Sequence, residues 1–165
     1  ALFRMGMTYL LTTRGIPQIF YGTEILMANP NSNEHGEIRG DFYGGWPGDA
    51  KDAVTQRGFT ADEKSTQDFF KKLLNWRKNN AVIHEGKLTH FGPENGLYVY
   101  FRHSAKGKVM VVMNKNSNSK SLSMDHYAEL IKPGAQLTDV LTGKKQTLGS
   151  TLEIPAKAAL VFEVQ

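Results

Sequence analysis

Two stretches hold residues whose types and spacing are equipped for chemistry. The first is Gly15-Ile16-Pro17-Gln18-Ile19-Phe20-Tyr21-Gly22-Thr23-Glu24, an apolar run that ends in a glycine turn and a carboxylate. The second is Arg39-Gly40-Asp41-Phe42-Tyr43-Gly44-Gly45-Trp46-Pro47-Gly48-Asp49, where three aromatic rings sit among glycines. A carboxylate just beyond the C-terminal end of a buried strand stands where active sites gather in α/β barrels. Glycoside hydrolysis needs two carboxylates flanking one bond, and Asp41 or Glu34 would supply a partner for Glu24. Flat rings on a turn-rich frame suit the rim of a binding cleft. The competing reading is that Phe42, Tyr43 and Trp46 plug the loop onto its own core while the loop carboxylates are merely solvated. The residues alone leave both readings open.

Other chemistries are excluded more firmly. With no cysteine among the 165 residues, a disulfide scaffold, a Cys-based zinc site and a Cys nucleophile are ruled out. The five histidines form no His-x-x-x-His or His-Glu-x-x-His pair. Walker, Rossmann and Gly-x-Ser-x-Gly motifs do not occur either. Twenty Lys and Arg against sixteen Asp and Glu leave a net +4, scattered along the chain. That charge is too small and dispersed for a nucleic-acid partner. No apolar run reaches the length of a membrane span, so no membrane partner is expected. The chain opens on Ala1 inside an apolar helical pattern, from which we expect that residues precede it.

The positioning elements follow from periodicity. Leu2, Phe3, Met5, Met7, Tyr9, Leu10 and Leu11 wrap most of a helix spanning residues 1–13, so it should be buried on several sides, with Gly15 as its C-cap. Ile16–Tyr21 reads as a buried strand entered through Pro17, of the kind found in a parallel sheet flanked by helices. Residues 25–60 form a long loop. Thr60-Ala61-Asp62-Glu63 has the form of a capping box, although Ser65 with Asp68 offers a second start. Phe69, Phe70, Leu73, Leu74 and Trp76 then share one face of a helix ending near Asn79-Asn80.

From Gly86 onward the pattern changes to short alternating or β-branched runs: Lys87–Phe91, Gly96–His103, Lys108–Asn114, Lys120–Met124, Gln136–Leu141, Gln146–Leu148 with Thr151–Ile154, and Ala159–Val164. Asp125–Ile131 should form a single helical turn. About seven antiparallel strands at this spacing predict a β-sandwich. The last run almost reaches Gln165, the expected natural C-terminus. Tyr98, Tyr100 and Phe101 would form a sugar-stacking platform if the sandwich were a carbohydrate-binding module. The alternative is a purely structural sandwich.

Gly15–Glu24 resembles the segment around the eighth barrel strand of the α-amylase family of glycoside hydrolases, where the pattern runs Gly-x-Pro-x-Ile/Leu-Tyr/Phe-Tyr-Gly-x-Glu. The preceding helix resembles that family's seventh barrel helix, and Lys71-Lys72-Leu73-Leu74-Asn75-Trp76-Arg77-Lys78 its eighth. Residues from about Lys87 onward resemble the family's all-β C-terminal domain. The loop Arg39–Trp46 and the run Phe91-Gly92-Pro93-Glu94-Asn95-Gly96 are most similar to neopullulanase and cyclomaltodextrinase members from gut Bacteroides-type bacteria. The resemblance implies an α+β chain, with residues 1–85 the end of a TIM barrel (its last helix–strand–helix) and residues 86–165 an antiparallel β-sandwich. It also implies a parent enzyme that retains configuration at α-1,4-glucosidic bonds of pullulan, cyclomaltodextrin or maltooligosaccharides, needs no cofactor, and resides in a bacterial periplasm or cytoplasm.

In this family the catalytic carboxylates follow the fourth, fifth and seventh barrel strands, so they would precede Ala1. The resemblance thus leaves this chain with no catalytic residue and predicts that it is inactive alone. Glu24 becomes a site-supporting residue. Tyr21, Glu24, Arg39, Asp41, Phe42 and Trp46 are the expected substrate-binding positions. Self-association through the uncovered apolar helix and strand of residues 1–27 is a further expectation.

Overall fold

The computed structural model describes residues Ala1–Gln165. The chain divides into two compact units, Ala1–Pro17 with Lys72–Gln165, and Gln18–Lys71.

In the first unit, eight strands follow one another: β1 (Lys87–Glu94), β2 (Leu97–Ser104), β3 (Gly107–Asn114), β4 (Lys120–Ser123), β5 (Gln136–Asp139), β6 (Lys145–Thr147), β7 (Thr151–Ile154) and β8 (Ala158–Val164). Six make a sheet in the order β1-β2-β3-β8-β5-β6, while β4 and β7 form a separate ladder. All pairings are antiparallel. The expected strands are present with small shifts at their ends. The helical turn expected at Asp125–Ile131 is a 3-10 turn over Asp125–Tyr127.

Side chains alternate across a pleated strand, and that period decides which residues meet. Val99 and Phe101 on β2, Met110 and Val112 on β3 and Phe162 on β8 join Leu122, Leu152, Ile154 and Tyr127 in one buried cluster. This is the core of an unequal sandwich. Tyr100, Val109, Val111, Met113 and Val161 form a second cluster on the opposite face. The helices α1 (Leu2–Thr12), α3 (Ala61–Lys78) and α4 (Ala81–Glu85) supply its cover through Met5, Trp76, Val82 and Ile83. The sheet is therefore the middle of three layers. This explains why Val109–Met113 reads as an unbroken apolar run rather than an alternation.

Polar ties fix the layers. The indole of Trp76 donates to Glu163 Oε1 at 2.8 Å, and the Asn80 amide donates to the same oxygen at 3.1 Å. Asn80 Oδ1 also accepts from the Ile83 amide at 3.2 Å, capping α4. Buried Asn114 donates to the carbonyls of Asn118, Ile154 and Pro155 at 3.0–3.1 Å, joining the end of β3 to the end of β7. Asn95 and Gly96 take φ of 52° and 76°, the left-handed pair that closes a two-residue hairpin between β1 and β2.

Some expectations are corrected. Ile16–Tyr21 forms no strand. Its backbone has no ladder partner, and Ile16 is 98% exposed. A strand exists only where a neighbour accepts its N–H and C=O groups, and these residues have no such neighbour in this chain. Helix α1 is likewise covered on one side only: Thr8, Leu11 and Thr12 are buried, whereas Leu2, Phe3 and Tyr9 are exposed. Gly15 does adopt φ +106°, but two positions beyond the extended cap residue Thr13. On α3, Phe69, Phe70 and Leu73 are buried as expected, but Leu74 lies outside the apolar stripe and is exposed. The run at β1 continues through Pro93 to Glu94 by way of a bulge, as an edge strand permits.

Candidate functional site

The loop residues singled out above lie in Gln18–Lys71. A small apolar nucleus of Ile25, Ala53 and Phe59, flanked by Met27 and Tyr43, anchors this unit. Around it the chain is held mainly by side chains bonding to nearby backbone. Asp52 accepts from the amide of Val54 at 2.8 Å and the hydroxyl of Thr55 at 2.6 Å. The Thr55 hydroxyl bond, followed by the Val54 amide bond, keeps the Asp52 carboxyl below its ordinary range. Bridges from Gly44 to Asp52 and from Asp52 to Arg57 close the aromatic loop onto this turn. Gly58 is required here: it has φ +75°, and a side chain would run into the Ala50 carbonyl oxygen.

The capping box is present as read. Glu63 Oε2 accepts from the Thr60 amide at 2.8 Å, and the Glu63 amide donates back to Thr60 Oγ1 at 3.2 Å. The second oxygen of Glu63 takes an ion pair from Lys51 at 2.5 Å. Lys51, foremost, and the Thr60 groups hold the Glu63 carboxyl below its ordinary value against the opposing effect of burial. The sequence did not mark Lys51 as the tie between the loop and the start of α3.

Tyr21 and the loop are joined directly. Its hydroxyl donates to the carbonyls of Arg39 and Gly40 at 3.1 and 3.2 Å, just beyond the short helix α2 (His35–Ile38). The Tyr21 ring also lies against Phe20, with centroids 4.5 Å apart. Glu24 sits half-buried in a 3-10 turn, Thr23–Ile25, between Gly22 and Leu26, both in the left-handed region. Arg39 and Asp41 are exposed. So are Phe42 and, at 72%, Trp46. The Trp46 indole stands over Gly44, where a β-carbon would lie 2.9 Å from Nε1. Its amide is fixed by Asp49 Oδ2 at 2.9 Å.

Trp46 is thus presented outward by an ordered turn, while Tyr43 alone of the three loop aromatics packs on the nucleus. No hydrogen bond or ion pair links Glu24, Asp41, Phe42 and Trp46 to one another. No group of three or more acidic or histidine side chains is spaced to hold a metal ion. The arrangement offers an exposed aromatic ring on an ordered turn, with exposed Arg39 and Asp41 in the same loop.

On the sheet, Tyr100 and Phe101 are fully buried on opposite faces of β2. Tyr100 shares a 2.5 Å hydrogen bond with Thr12 Oγ1, and burial pushes its phenol well above the ordinary range. The half-buried Tyr98 ring lies tilted against those of Tyr9 and Tyr100, with centroids 6.3 and 5.3 Å away. The sugar-stacking platform considered for these three rings therefore does not exist. The alternation that made them strand residues also committed them to the core.

Comparison with known proteins places this geometry. Residues 88–163 match the family model described as the cyclo-malto-dextrinase C-terminal domain. A cyclomaltodextrin glucanotransferase from Klebsiella oxytoca is 30% identical over 133 residues, covering 77% of this chain and 19% of the relative. An amylopullulanase from Thermoanaerobacter thermohydrosulfuricus is 29% identical over 147 residues, covering 81% of this chain and 8% of the relative. The chain thus spans about a fifth or less of these relatives. The crystal structure of an α-amylase from Geobacillus thermoleovorans, complexed with acarbose, superposes with a TM-score of 0.73 at 21% identity. That superposition covers 99% of this chain and 33% of the amylase.

Proposed function

Because this chain belongs to the α-amylase family, corresponding to a C-terminal portion that carries the cyclomaltodextrinase C-terminal domain, we propose that it serves a retaining α-glucan hydrolase acting on α-1,4-glucosidic bonds. The match of residues 88–163 is the observation that carries this reading. In it, residues 1–85 are the end of the catalytic barrel and residues 86–165 its structural β-domain. The burial of Tyr100 and Phe101 favours the structural role over sugar binding by the sheet. Tyr21, Glu24, Arg39, Asp41, Phe42 and Trp46 border the glucan cleft. The outward Trp46 ring would stack on a sugar face, and the tie from Tyr21 to Arg39 and Gly40 would set the loop's path.

In this reading the chain itself does no double displacement, because that chemistry needs a nucleophile and an acid about 5 Å apart, and the family resemblance puts both before Ala1. Pullulan, cyclomaltodextrins and maltooligosaccharides are the proposed substrates of the longer enzyme. The test is reducing-sugar release from pullulan and cyclomaltodextrin by this chain and by the longer polypeptide. A silent chain with an active parent is expected. Hydrolysis by the chain alone would refute the assignment and point to Glu24 and Asp41.

We also propose that the isolated chain self-associates. Leu2 and Ile16 in the first unit and Phe20 in the second are each more than half exposed, and exposed large apolar side chains favour association. Sedimentation at high concentration should show oligomers, and a strictly monomeric profile would refute this.

A further inference from the structure

We propose that the cavity beside Arg102 is a binding site for a phosphate group. Arg102 on β2 is only 2% exposed and ranks among the largest fully buried side chains. Its Nη1 donates to the carbonyls of Thr12 and Thr13 at 3.2 and 2.9 Å, and its Nη2 to that of Gly86 at 2.8 Å. These bonds use three of the five N–H groups of a guanidinium, and Nε–H is buried without a partner. The carbonyls at the end of α1 are favourable company for a cation, but they bring no net charge. A buried cation is normally matched by an anion, because desolvating it is otherwise costly. Here the cations nearest in effect, Arg77 and Arg14, have the same sign. Half-buried Arg77 donates to the Leu11 and Gly15 carbonyls at the same helix end, and Arg14 follows directly. Burial, then Arg77 and Arg14, hold the Arg102 pKa below the ordinary arginine value.

The cavity has a volume of about 470 Å³ and is lined by Arg14, His84, Glu85, Lys87 and Arg102 together with the small or apolar residues between them. Glu85, its one acid, is engaged by Lys106 at 2.7 Å. Three fixed cations therefore face the space with their nearest carboxylate already neutralised. Its size admits a phosphate with its hydration or a small phosphate monoester. A guanidinium lining the cavity, with Arg14 and Lys87 beside it, offers positive charge to a phosphate. Every residue involved lies outside Gln18–Lys71, so this site is independent of the glucan reading above.

The test is calorimetric titration of the 165-residue chain with inorganic phosphate at constant ionic strength, chloride serving as the balancing ion. A parallel titration uses glucose 6-phosphate. Saturable binding of either phosphate, absent with chloride, is expected. Tighter binding of the monoester would assign the site to an esterified phosphate, and tighter binding of the inorganic ion to the free one. Arg102→Lys would expose the buried centre, but that chain risks unfolding. The decisive variants are therefore Arg14→Gln and Lys87→Gln, both at exposed positions. Each should weaken phosphate binding about three- to tenfold, the range for one charge at the rim of a site. Lys144→Gln, in the turn before β6, should change nothing. Equal effects of chloride and phosphate, or unchanged affinity in both rim variants, would overturn the proposal.

Discussion

Val109–Asn114 is an unbroken run of buried residues at the centre of the sheet, whereas Leu26–Asp52, more than four times as long, contains none. The two regions are stabilised by different physics. In the sheet, apolar side chains from β2, β3 and β8 bury both faces, joining residues far apart in sequence. In Gln18–Lys71, an Asx turn at Asp52, a capping box at Thr60 and Glu63 and one ion pair join residues that are mostly close in sequence. Non-local burial leaves no large apolar side chain of the strands exposed. Local polar ties can hold a loop in shape while leaving its rings in solvent, which is the condition a binding surface needs.

The largest expected effect sits in the sheet. Phe101→Ala would remove a fully buried ring from the sandwich core and should lower stability by about 3–5 kcal/mol, read from urea denaturation. A loss under about 1 kcal/mol would break the contrast by showing that the core tolerates a cavity of that size. A smaller effect belongs to the loop unit. Glu63→Ala deletes half of the capping box and the partner of Lys51, with an expected cost of about 1–2 kcal/mol. Fluorescence of Trp46 in a Trp76→Phe background should report that loss earlier in denaturant than circular dichroism of the strands does. Coincident transitions would mean that the two units unfold as one.

Acid should separate the regions further. The carboxyls of Glu63 and Asp52 both lie below their ordinary values in the folded chain, Glu63 chiefly through Lys51 and Asp52 chiefly through Thr55. A lowered folded pKa contributes stability that is complete above the unfolded value, 4.5 for Glu63, and is lost as pH falls through the folded one. The Trp46 signal should therefore change below pH 4.5 before the strand signal does, and Glu63→Gln should flatten that dependence. The smallest expected effect is at the exposed ring. Trp46→Ala should alter stability by no more than about 0.5 kcal/mol. In the longer polypeptide the same change should raise KM for maltooligosaccharides. A large stability loss would show that Trp46 belongs to the core after all.

Much of this fold was legible residue by residue. Thr60 and Glu63 announce their reciprocal bonds because the partners are three positions apart. The hairpin at Asn95-Gly96 lies at the end of a turn-rich run, Gly92–Gly96, of which the first three residues belong to β1. About seven strands are visible in sequence as short alternating or β-branched runs, and the structure has eight. The candidate site was legible as residue types only. Neither the Tyr21 bond to the loop carbonyls nor the Lys51–Glu63 pair has a spacing signature, since each depends on how a glycine-rich chain turns back on itself.

The sequence by itself therefore determined the local elements, the all-β character of residues 87–164 and the resemblance that leads to α-glucan chemistry. Only the tertiary structure decided that Ile16–Tyr21 is unpaired and largely exposed, because strand identity requires a neighbour and not merely an apolar run. Only the tertiary structure placed the Arg102 guanidinium among carbonyls of Thr12, Thr13 and Gly86. In sequence Arg102 is one basic residue in a strand. Its burial arises because α1, the end of α4 and β2 converge on one point, and no pattern within a single segment encodes such a convergence.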